Sequence, residues 1–84
     1  MAENVSVTVK LFAVYRDMLG QTEMAVQASS NESVSGLFAR LLGDRAAPAL
    51  RDATLFAVNE SYVPADTILN DGDRIAFIPP VAGG

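Results

Sequence analysis

The chain contains no cysteine and no histidine. Without cysteine there is no disulfide, no thiolate nucleophile and no cysteine-held metal. Without histidine the commonest general base and metal ligand near neutral pH is missing. Carboxylates, tyrosines and a single lysine, Lys10, are left for catalysis, so no self-contained active site is expected. No apolar run approaches the ~18–20 residues of a membrane span. Met1-Ala2-Glu3-Asn4 lacks the basic start of a signal peptide, and the expected location is cytoplasmic. Charge is sparse too, at 19% of residues, and its balance is acidic, with a net charge of -4. That sign speaks against nucleic acid as a partner and suits a basic protein surface.

What is present is a globular composition: half of the 84 residues are hydrophobic, enough for one small domain. Val5-Ser6-Val7-Thr8-Val9-Lys10-Leu11 alternates with the period of a half-buried strand, which turns Val5, Val7, Val9 and Leu11 inward. Phe12 to Leu19 loosens to a helical turn or two, stopped by Gly20. Thr22 to Gln27 alternates again, with Met24 and Val26 on one face. The strongest helix starts at Ser33 as N-cap and carries Val34, Leu37, Phe38, Leu41 and Leu42 on one stripe, up to Gly43. Gly36 inside it suggests close approach to a sheet. A polar, Ala-rich stretch through Pro48 is read as a loop. Strands are expected at Thr54–Val58 and Arg74–Ile78, with turn residues at Asn59-Glu60-Ser61 and a short extended piece at Tyr62-Val63. Asp71-Gly72-Asp73 reads as a turn rather than as a cation site, because no further ligands lie nearby.

The predicted architecture is α+β, a mixed sheet with one main covering helix. Residues 1–78 form the domain and residues 79–84 a projecting tail, with no repeat and no linker. The tail is the chemically interesting part. A terminal Gly-Gly arises by chance about once in 200 chains, so the pair alone is a moderate signal. Its setting strengthens it. Pro79-Pro80 stiffens the exit from the last strand, and Val81, Ala82, Gly83 and Gly84 then taper to a tip that reaches at most about 14 Å. A tip without side chains enters a channel too narrow for a Cβ atom. Its carboxylate is inert until activated; adenylation makes it an electrophile, and sulfide then converts it to a thiocarboxylate.

Three segments resemble one family. Phe12-Ala13-Val14-Tyr15-Arg16-Asp17-Met18-Leu19-Gly20 resembles the FAxxRE segment of the molybdopterin synthase small subunits, with Asp17 where Glu is usual. Ala57-Val58-Asn59-Glu60-Ser61-Tyr62-Val63 resembles their AVNxxxV stretch, and residues 71–84 their DGDxVAFxPPVxGG ending. The resemblance spans nearly the whole chain, is weakest from Ala46 to Ala53, and places the chain within the wider MoaD/ThiS ubiquitin-like group.

That resemblance implies a ubiquitin-like β-grasp fold and a sulfur carrier subunit. It implies that an E1-like enzyme adenylates Gly84 using ATP and then thiocarboxylates it, the chain itself binding no cofactor and no metal. The carrier then inserts its tail into a large synthase subunit and gives sulfur to cyclic pyranopterin monophosphate, within a heterotetramer. The large subunit is expected to be basic. Strand parity puts Phe12 and Ile78 on the outward face, and the resemblance adds Tyr62 and Arg16 as partner contacts. Two other roles remain open: a thiamine-thiazole-type sulfur carrier, and a ubiquitin-like modifier joined to lysines through Gly84.

Overall fold

The computed structural model describes residues 4–80. Of the projecting segment expected at 79–84, Pro79 and Pro80 fall within it; Val81, Ala82, Gly83 and Gly84 lie outside the described residues.

Strand β1 (Asn4–Leu11) runs into a short helix α1 (Ala13–Leu19), then into β2 (Glu23–Ser29). Helix α2 (Val34–Leu42) follows. A 3₁₀ turn (Gly43–Arg45) and a second short helix α3 (Pro48–Asp52) lead to β3 (Leu55–Val58), β4 (Ser61–Val63) and β5 (Arg74–Ile78). The strands lie in the order β2-β1-β5-β3-β4. β1 and β5 pair in parallel at the centre of the sheet, and the other pairs are antiparallel. The α+β reading with one main covering helix holds. The stretch read as a loop contains α3, whose first residue, Pro48, has its fixed φ suited to a helix start.

The period-2 pattern of β1 is realised as read. Val7, Val9 and Leu11 are buried, and the register sets Val9 against Ile75 and Leu11 against Phe77, both buried in β5. Onto this face packs the stripe of α2, with Val34, Leu37, Phe38 and Leu42 buried. Phe38 sits at the hub of an aromatic cluster. It meets Tyr15, Phe56 and Phe77 edge to face, with ring centroids 5.4, 5.6 and 5.0 Å apart, a geometry that the ring quadrupoles favour. Tyr15, on a helix too short to show a clear period, is fully buried, and its hydroxyl hydrogen-bonds to that of Thr54.

The entry to α2 follows the sequence: Ser33 Oγ accepts a hydrogen bond from the Gly36 amide at 3.0 Å. Replacing Ser33 with Ala should cost about 1 kcal/mol, read as a lower urea midpoint at unchanged slope. Gly36 itself owes nothing to the sheet. A Cβ there would come within 3.2 Å of Ser33 Oγ, so what it accommodates is the cap. Beside the cap, Arg40 donates from its guanidinium to both oxygens of Glu32 at 3.0 and 3.2 Å. This pairing holds the Glu32 carboxyl below the usual range despite the opposing effect of burial. At the end of α1, Gly20 takes the left-handed conformation (φ 73°) and its amide donates to the Arg16 carbonyl at 2.8 Å, as a helix C-cap requires.

Candidate functional site: the outer sheet face and the exit of the tail

With α2 on one face of the sheet, the side chains of opposite parity form the other. β1 contributes Lys10 and leads to Phe12; β5 contributes Arg74, Ala76 and Ile78; β3 contributes Leu55 and Ala57, and β4 contributes Tyr62. Across strands, Ile78 lies opposite Leu55 and Ala76 opposite Ala57, which in turn faces Tyr62. Phe12 is 43% exposed, Leu55 54% and Tyr62 70%. Large apolar groups held in water on one face make that face a candidate binding surface.

Each group on this face is fixed from beneath. Phe12 caps α1, its carbonyl accepting from the Tyr15 amide at 3.0 Å. Ala13 then bends the chain with φ 48°, a left-handed conformation that an alanine adopts at a cost of about 1–2 kcal/mol. Buried Tyr15 pins the helix, so the bend holds Phe12 out on the surface. Tyr62 rides on the β3–β4 hairpin. Its two-residue turn, Asn59-Glu60, has positive φ at both positions, 52° and 71°, the turn that matches strand twist. The Asn59 side chain locks this hairpin to β5: it donates to Asp73 at 3.0 Å and accepts from the Arg74 amide at 3.0 Å.

Two open depressions result. One, of ≈ 270 Å³, lies on the sheet face, with Phe12, Ala57, Tyr62, Ala76 and Ile78 as its apolar lining and Lys10, Glu60 and Arg74 as its charged groups. The other, of ≈ 660 Å³, lies where β5 leaves the sheet, lined by Phe12, Ala13, Val14, Leu50, Ile78, Pro79 and Pro80. Phe12 and Ile78 border both. The structure therefore brings together Phe12, Ile78, Tyr62 and Pro80 from the predicted set. Arg16 is exposed beside Asp17 at 3.7 Å and lines neither depression. Leu55, set opposite Ile78 by the β3–β5 register, lines neither depression either; it borders a separate one with Ser35, Ala39 and Arg51.

The acidic turn is structural, as read. Asp71 Oδ1 accepts from the Ser6 amide at 2.7 Å, and Asp73 accepts from Asn59 and from the Asn70 amide at 2.8 Å. Gly72 between them has φ 85°, a value that suits glycine. Among the described residues, no group of three His, Cys, Asp or Glu could hold a metal ion, and no helix is long and apolar enough to cross a membrane.

A five-stranded mixed sheet with parallel central strands and one covering helix is a ubiquitin-like β-grasp domain, and it resembles SAMP1 from Haloferax volcanii with a TM-score of 0.78 at 25% identity, over 94% of this chain and 99% of that one. Within this class the chain belongs to the ThiS family, matching it over residues 9–84. It is 41% identical over 81 residues to the molybdopterin synthase sulfur carrier subunit of Escherichia coli, a match covering 93% of this chain and 99% of that protein. It is also similar to a chain in the complex of subunits 1 and 2 of the molybdopterin-converting factor from Helicobacter pylori, with a TM-score of 0.63 at 25% identity, over 95% and 100% of the two chains.

Proposed function

We propose that this protein is the sulfur carrier subunit of a molybdopterin synthase and that it works through a thiocarboxylate on Gly84. One observation supports this reading above the others. β5 delivers Pro79-Pro80 to the rim of an exposed apolar face, so a partner seated on that face also meets the segment leading to Gly84.

The chemistry follows from the carboxylate. One of its oxygens attacks the α-phosphorus of ATP on an E1-like enzyme, and pyrophosphate leaves. Sulfide sulfur then adds to the acyl carbon and AMP leaves, carrying the original oxygen. The resulting thiocarboxylate is a sulfur nucleophile toward cyclic pyranopterin monophosphate held by a large synthase subunit. In this scheme Val81, Ala82 and Gly83 line the path into the partner, Phe12, Ile78 and Tyr62 form the docking face, and Arg16 lies at its periphery. The E1-like enzyme and the large subunit take turns on that face, and a heterotetramer with the large subunit is the expected assembly.

A second reading has some support: similar folds include a small archaeal modifier protein 1 from Methanosarcina acetivorans at 26% identity. Intact mass after incubation with activating enzyme, ATP and a sulfur source separates the two. Exchange of one oxygen for sulfur on the free chain is the expected result. Conjugates of higher mass would replace carriage with protein modification.

A further inference from the structure

The chain as a whole is acidic, but its docking face is not. Lys10 and Arg74 both project from the outer face and border the depression whose floor is Ala57 and Ala76. Lys10 is level with Ala76 on the neighbouring parallel strand, and Arg74 lies two residues earlier on β5. Strand spacing and rise put the two Cα atoms about 8 Å apart. Against them stands one carboxylate bordering the depression, Glu60; Glu23 lies opposite Lys10 on β2, outside it. Among the described residues the ion pairs are Arg16–Asp17 and Arg40–Glu32, so neither Lys10 nor Arg74 is held in an ion pair there. Asp73, next to Arg74 in the chain, is buried and bonded to the Asn59 side chain and the Asn70 amide. At physiological salt the screening length is about 8 Å, so a docking partner responds to the charges on this face, Lys10 and Arg74 with Glu60 and Glu23, and hardly to the net charge of the chain.

We propose that the partner's docking site for this face is acidic: an apolar projection that fills the sheet depression, flanked by carboxylates that pair with Lys10 and Arg74. This rests on the carrier reading above and names the chemistry of its partner surface. It departs from the expectation, drawn from net charge, of a basic partner surface at this contact. Apolar burial supplies affinity, and the two charges supply orientation and association rate.

The test measures binding of the full chain to the molybdopterin synthase large subunit of the same organism by surface plasmon resonance between low and physiological salt. The double variant Lys10→Gln, Arg74→Gln should bind roughly tenfold more weakly at low salt, chiefly through slower association, and should lose much of the salt dependence. Arg74→Glu should weaken binding further, with thermal unfolding as a check that each variant is folded. Unchanged or tighter binding by the double variant overturns the proposal. Phe12→Ala separates the two failures. If it weakens binding while the charge variants do not, the docking face stands and the acidic partner falls. If none of these variants weakens binding, the docking face itself falls.

Discussion

A variant extended by one residue beyond Gly84 should fold like the parent and transfer no sulfur. The group that reacts in the proposed scheme is the carboxylate of Gly84, and extension turns it into an amide. The new carboxylate sits about 3.3–3.6 Å further along the chain. A displacement of 1 Å at a reacting centre already costs about 10²-fold in rate, so the loss should exceed that. Folding should not notice, because the buried core runs from Val7 to Phe77. Intact mass should show no exchange of oxygen for sulfur, and removing the extra residue with a carboxypeptidase should restore it. Sulfur transfer at the parental rate would rule out any mechanism through this carboxylate.

The largest loss of stability should come from Phe38→Ala. Truncating a buried Phe costs about 3–5 kcal/mol. The whole domain has roughly 4–13 kcal/mol at typical per-residue values, so the variant should be close to half unfolded if the parent lies at the low end. The site is unforgiving because Phe38 joins layers. From α2 it contacts β3 through Phe56, β5 through Phe77 and α1 through Tyr15. Phe38→Leu keeps much of the volume and should lose distinctly less. Urea unfolding followed by circular dichroism should give a much lower midpoint for the Ala variant, and a loss of 1 kcal/mol or less would show that the cluster is not the hub described.

The parts of the fold legible in the sequence are those where one residue's environment repeats at a fixed period. β1 declared its inward face because Val5, Val7, Val9 and Leu11 recur every second residue, and α2 declared its stripe because five apolar residues recur at helical spacing. The cap at Ser33 and the turn at Asp71-Gly72-Asp73 were legible because their chemistry is local. Tyr15 was not. Its helix has seven residues, and its hydroxyl partner Thr54 lies 39 positions away. α3 escaped because Ala, Pro and scattered charges give a five-residue helix no face. For the candidate site, parity placed Phe12 and Ile78 on the outer face, where both border the two depressions. Gly36 shows a different failure. Its position suggested contact with the sheet, but the space it leaves is taken by the Ser33 cap.

The central place of β5 carries a consequence for biosynthesis. Of the described strands it is made last, yet it joins β1 to β3 in the middle of the sheet. A nascent chain halted before Arg74 therefore has two separate strand pairs with nothing between them, and such pairs are marginal in water. Products terminated before Arg74 should remain unfolded and open to proteases. They should then not persist as folded decoys that occupy a partner while lacking the proposed reactive end.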